Sequence, residues 1–77
     1  MNVDRYWIRV TEDGTQRVSV REQAYRSGRT FRSRWIVMDR NARGRFISQH
    51  ETAAGVRDAL THQGFRPDAR PAGNATP

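Results

Sequence analysis

The dipeptide Asp13-Gly14 sits between two short segments in which apolar and polar residues alternate. This limits the fold more than any other feature, because Gly accepts the positive φ of a tight turn and alternating flanks read as the two strands of a hairpin. In the first flank, Tyr6, Ile8 and Val10 share one face and Arg5, Trp7, Arg9 and Thr11 the other. The reading places Tyr6, Ile8 and Val10 in the core. The return strand runs from about Gln16 to Glu22, with Val18 and Val20 inward and Arg17, Ser19 and Arg21 outward.

Further along, Gln23 to Arg29 is polar, contains Gly28 and reads as a loop or a frayed strand end. A third strand is expected from Thr30 to Arg40. One register turns Phe31, Ser33, Trp35 and Val37 inward and Arg32, Arg34, Ile36 and Met38 outward. The unbroken run Trp35-Ile36-Val37-Met38 leaves that register open, as in a central strand partly covered on both faces. Asn41 to Gly44 is a second turn, and Arg45 to Gln49 a short fourth strand with Phe46 and Ile47. One helix follows. Thr52 is placed to cap its first turn, Ala53, Val56, Ala59 and Leu60 form a narrow apolar stripe, and His62 lies in the last turn. Gly64 stops the helix as a left-handed cap, with Phe65 packing back. Gly55 weakens it, so the helix depends on the sheet. From Arg66 the chain holds Pro67, Pro71, Gly73 and Pro77 and reads as a disordered tail.

The expected fold is therefore α+β, an antiparallel three- to four-stranded β-meander with one C-terminal helix packed on one face. Residues 1–65 form a single domain and 66–77 the tail. The expected core is Tyr6, Ile8, Val10, Val18, Val20, Phe31, Trp35, Val37, Phe46, Val56, Ala59, Leu60 and Phe65.

At 77 residues such a domain buries only about 60% of its unfolded surface, so the core is thin. The absence of cysteine excludes disulfides, thiolate metal sites and a cysteine nucleophile. No apolar run approaches a membrane span, and Met1 to Asp4 lacks a basic-then-apolar start, so a soluble, cytoplasmic protein without a membrane partner is expected. His50 and His62 are too far apart, with too few companions, for metal-ligand spacing. No nucleophile motif, phosphate loop or carboxylate pair appears, and the reading is non-enzymatic, with no catalytic residue, metal or cofactor.

The charge carries the functional signal. All 14 basic residues are Arg, against 8 acids. A GC-rich coding bias and a demand for phosphate contact are alternative reasons for Arg in place of Lys, but bias does not explain where the charge falls. Residues 16–46 hold nine Arg against Glu22 and Asp39, while the flanks are balanced or slightly acidic. Arg is a planar, permanently charged fork suited to phosphate and base edges. The outward sheet face is expected to gather Arg5, Trp7, Arg9, Arg17, Arg21, Arg32, Arg34 and Arg45. Like charges on neighbouring strands repel, and a polyanion relieves the repulsion. Nucleic acid, duplex DNA above all, is the expected partner, with an acidic protein surface as the other choice. Open sheet edges also allow a homodimer.

The stretch Arg34-Trp35-Ile36-Val37, Gly44-Arg45-Phe46-Ile47 and Thr52-Ala53-Ala54-Gly55-Val56-Arg57-Asp58-Ala59 resembles a strand–turn–strand–capped-helix unit. It is similar in outline to the plant ethylene-response (apetala-type) DNA-binding domain and to the arm-binding domain of tyrosine integrases. The resemblance covers residues 30–62. It implies a sheet laid in the major groove and braced by one helix, and assigns base or phosphate contact to Arg32, Arg34 and Arg45. A small, charged, β-rich chain also resembles the inhibitors encoded by phages and mobile elements, such as anti-CRISPR proteins. That resemblance implies a protein that binds and blocks a host protein or nucleoprotein complex.

Overall fold

A computed structural model describes residues 3–41 and 44–69. It is α+β: an open antiparallel sheet with a single helix on one face. The strands are β1 (Tyr6–Thr11), β2 (Gly14–Ser27), β3 (Thr30–Asp39) and β4 (Arg45–His50), followed by helix α1 (Ala53–His62) and a two-residue β5 (Arg66–Pro67). Their order across the sheet is β4-β3-β2-β1-β5. Each of the first three strands pairs with the next in sequence, as a meander requires, and β5 pairs with β1. The helix then carries the chain from the β4 edge back to the β1 edge. Its ten residues span about 15 Å at 1.5 Å per residue, and the four strand spacings it must cross come to about 19 Å. Short links supply the rest.

The core lies between helix and sheet and consists of Trp7, Val18, Val20, Val37, Val56, Leu60 and Phe65, with Val3 and Trp35 packed against it. The inward choices for β2 and for the C-terminal half of β3 match this list, and of the helix stripe Val56 and Leu60 do, while Ala53 and Ala59, the latter expected in the core, are half-buried. The choice for β1 does not. Trp7 is 3% exposed and Val10 75% exposed, so β1 turns its odd-numbered residues to the helix and Tyr6, Ile8 and Val10 away from it. Trp7 stands across from Val18, and its indole Nε1 donates to the Asp4 carbonyl at 2.8 Å. The bulky ring thus buries its area and still satisfies its one polar group. Phe31 shares the helix side of β3 but lies beyond the reach of α1 and β4, and is 75% exposed. A bulge between β3 and β4 brings Phe46 opposite Met38, on the helix-free face, where it is 55% exposed.

Residues 23–27, expected as a loop or a frayed strand end, continue β2 as a fully paired strand as far as Ser27. This segment has no apolar alternation to betray it. It is held by the main-chain ladder to β3 and by side-chain pairs, with Arg34 Nε donating to Gln23 Oε1 at 2.8 Å and the Arg34 guanidinium 4.7 Å from the Tyr25 ring centre. The turn is Gly28-Arg29, and Gly28 has φ +62°, a left-handed conformation that Gly adopts without strain.

The helix ends follow the sequence closely. Thr52 is extended and its hydroxyl accepts from Gly55 N at 2.9 Å, the bond an N-cap makes to an otherwise unpaired amide. At the other end Gly64, φ +91°, donates to the Thr61 carbonyl, and Phe65 N donates to the Leu60 carbonyl at 2.9 Å. Those two bonds define a Schellman motif, and buried Leu60 and Phe65 supply its apolar contact. The turn after Gly64 delivers Arg66-Pro67 to β1 as β5. The first two residues assigned to the tail are therefore part of the sheet, and 70–77 lie outside the described residues. So do Ala42 and Arg43 of the second turn.

Candidate nucleic-acid interface

The face opposite the helix is built by register. In antiparallel pairing, residues directly opposite point to the same side. Along β2 that side carries Arg17, Ser19, Arg21, Gln23 and Tyr25. Opposite them stand Ile8 and Tyr6 of β1 for Arg17 and Ser19, and Met38, Ile36, Arg34 and Arg32 of β3 for Ser19 to Tyr25. Arg66 of β5 joins opposite Ile8. Arg40 extends the β2–β3 ladder, donating its N–H to the Arg17 carbonyl at 2.9 Å, and its guanidinium lies 4.4 Å from the Tyr6 ring centre.

Four of the residues expected on the outward face are thus brought together: Arg17, Arg21, Arg32 and Arg34. Their cross-strand partners are Ile8, Ile36, Tyr25 and Gln23, none of them acidic. Arg17, Arg21 and Arg32 are exposed and Arg34 half-buried. Arg40 and Arg66 belong to the same face and were not singled out from the sequence. Both lie at strand termini, where alternation gives no guide to direction.

The other four are elsewhere. Trp7 is in the core and unavailable for stacking on a base. Arg9 and Arg45 are on the helix side. Arg5 lies just before β1, with its guanidinium 5.6 Å from the ring centre of Tyr6, at the margin of the helix-free face. Arg45 pairs with Asp39. Arg9 is occupied in holding the fold: Nε donates to Gln16 Oε1 at 2.9 Å, Nη1 donates to the Gln63 carbonyl at 2.8 Å, and the guanidinium lies 4.5 Å from the Phe65 ring centre. A cation bonded to a carbonyl at the end of a helix also answers the helix dipole. The expected outward placing of Trp7, Arg9 and Arg45 is corrected by the register of β1 and the pairing of β4.

Aromatic rings lie under the guanidiniums of the face. The Arg34–Tyr25 and Arg40–Tyr6 distances fall within the roughly 6 Å of a cation–π contact. Such stacking fixes the guanidinium plane, so less freedom is lost when a phosphate or base edge is bound, although Arg34 Nε is already bonded to Gln23 and Nη1 of Arg40 is buried with no hydrogen-bond partner.

Asn41 anchors the Arg17 end. Its Oδ1 accepts from Arg17 N at 2.7 Å, its Nδ2 donates to the Thr15 carbonyl at 3.2 Å, and its own N–H donates to Oδ1 of buried Asp39 at 2.8 Å. The β3–β4 turn is so locked onto the start of β2. Among the described residues, no three His, Asp or Glu side chains come together as metal ligands would.

Comparison with protein-family models, curated proteins and solved structures finds no match to the chain. Function is therefore argued from this face.

Proposed function

We propose that the protein is a non-enzymatic nucleic-acid-binding module that contacts duplex DNA through the helix-free face of its sheet. The observation that carries this reading is the gathering of Arg17, Arg21, Arg32 and Arg34, with Arg40 and Arg66, on one side of the sheet, where Asp68, opposite Tyr6 at the β5 edge, is the carboxylate that the described ladder adds. Like charges so arranged repel one another. A polyanion removes that repulsion, and the release of its condensed counterions supplies affinity. The test is fluorescence anisotropy with a labelled 20-base-pair duplex at increasing salt. Log K is expected to fall linearly with log salt, and no binding to any nucleic acid at low salt overturns the proposal.

A second reading has its own observation. The same face exposes Val10 and Phe46, apolar groups that suit a protein partner. In that reading the protein is an inhibitor, of the kind phages and mobile elements encode, that occupies an acidic host surface. It requires a complex that survives nuclease digestion. Ile47, 37% exposed, lies on β4, the outer strand. That edge is where a second copy would pair, and light scattering over a range of concentrations tests this. No described helix is long and apolar enough to cross a membrane, and a DNA or host-protein target is met inside the cell.

A further inference from the structure

The long hairpin outgrows the rest of the sheet. β1 pairs with β2 no further along than Ser19, with one more bond from Val20 N to the Arg5 carbonyl, and β4 pairs with β3 only from Trp35 onward. The pairs Gln23–Arg34, Ala24–Ser33, Tyr25–Arg32, Arg26–Phe31 and Ser27–Thr30 therefore form a two-stranded ribbon with no neighbouring strand on either side. Five pairs at about 3.4 Å each extend about 17 Å. The molecule's longest dimension is 44 Å, against 30 and 23 Å for the others, close to the ~47 Å that a 14-residue β2 covers at that rise.

The composition of this ribbon is unlike that of a structural hairpin. From Arg21 to Arg34 it holds Arg21, Arg26, Arg29, Arg32 and Arg34 against the single acid Glu22. Near its end Phe31 stands across from Arg26 and is 75% exposed. It lies on the helix side but past the helix, where it contributes nothing to the core. An exposed Phe opposite Arg26 on a projecting ribbon adds nothing to the core of the isolated chain.

We infer that the β2–β3 ribbon is an arm that enters the major groove of B-form DNA, with Arg26 and Arg29 on the groove walls and Phe31 against the base edges. This deepens the function proposed above and rests on it. Shape decides the groove and the duplex. The B-DNA major groove is about 12 Å wide and about 8.5 Å deep and admits a two-stranded ribbon, whereas the minor groove is about 6 Å wide. The A-form major groove of RNA is too narrow and deep to be read. Arm length exceeds groove depth, so the tip reaches the base edges while Arg17 and Arg40 remain near the backbone. In the groove the Phe31 ring meets thymine methyl groups, and guanidiniums bond guanine edges or the flanking phosphates.

The test compares three proteins on a B-form DNA duplex and on an RNA duplex of the same sequence. They are the wild type, an arm variant (Arg26→Ala, Arg29→Ala, Phe31→Ala) and a face variant (Arg17→Ala, Arg21→Ala). All three arm substitutions are at exposed positions, and circular dichroism checks folding. The arm variant is expected to lose about tenfold or more in DNA affinity and to lower the salt slope by about 0.9 for each phosphate contact removed. Wild type is expected to prefer DNA over RNA, and a minor-groove ligand such as netropsin is expected to leave the complex intact. An arm variant that binds DNA as wild type does, while the face variant loses binding, overturns the arm and leaves the sheet face standing. Equal affinity for the RNA duplex, or displacement by netropsin, overturns the major-groove assignment. Failure of wild type to bind at all removes the arm and the proposed function together.

Discussion

Trp7 stands directly across β1 and β2 from Val18, and both side chains are buried under the helix. This one pairing fixes which face of the sheet is the core and which is left to solvent. It takes Arg9 off the candidate interface, and it sets half-buried Tyr6 and Ile8 beside Arg40, Arg17 and Arg66.

Trp7→Ala is expected to destabilise the fold by about 3–5 kcal/mol, the usual range for emptying a buried aromatic site. A domain of this size has only about 4–12 kcal/mol in total, so the variant is expected to be largely unfolded by mild urea. Val10→Ala, at an exposed position, is expected to change stability by less than about 0.5 kcal/mol. Urea melts of the two variants test the register directly. Equal effects would restore Tyr6, Ile8 and Val10 to the core.

Gly55 is expected to resist an otherwise favourable change. Ala in a helix interior gains about 1 kcal/mol over Gly, but a Cβ on Gly55 would sit 2.8 Å from the Thr52 hydroxyl oxygen, the atom that caps the helix. Gly55→Ala alone is therefore expected to give no gain in melting temperature. Thr52→Ala alone should lower stability by about 1 kcal/mol. In the Thr52→Ala background, Gly55→Ala should become stabilising, so the double-mutant cycle shows a coupling that two independent sites would lack.

Arg9→Ala is expected to reduce stability by about 1 kcal/mol through loss of its bond to the Gln63 carbonyl and its stacking on Phe65. Its affinity for a DNA duplex should stay within about twofold of wild type apart from the uniform effect of one lost charge. A loss as large as that caused by Arg32→Ala would return Arg9 to the interface.

Asn41→Ala is expected to loosen the Arg17 end of the face. It removes the acceptor of Arg17 N and the donor to the Thr15 carbonyl, and the groups left unpaired are partly open to water, so about 1 kcal/mol is expected. Faster hydrogen exchange at the Arg17 amide is the measurement to make, and unchanged protection there would show that the β3–β4 turn is not what holds it.

Sequential hairpins, the capped helix and its Schellman stop were legible because each rests on local chemistry: Gly at a positive φ, a hydroxyl three residues before an amide, apolar residues at helical spacing. The face of each strand was less so. β1 and β2 join through the two-residue loop Glu12-Asp13. A loop of two residues pairs even-numbered positions with odd ones, so Tyr6, Ile8 and Val10 could not share a face with Val18 and Val20. That parity was present in the chain and fixes which residues face one another, but it does not say which face is buried. Only the helix decided that, because Val56, Leu60 and Phe65 needed the side of the sheet offering Val18, Val20, Val37 and the large area of Trp7. The extent of the ribbon was hidden for a related reason. Gln23 to Ser27 buries little, and a strand without a buried face leaves no apolar period in the sequence.

The amino-acid sequence by itself determined an α+β meander, its turns, its helix ends and the placing of nine arginines between residues 16 and 46. Tertiary structure decided which of them share a face, since direction across a strand depends on what the opposite strand and the helix bury, and those contacts are distant in the chain.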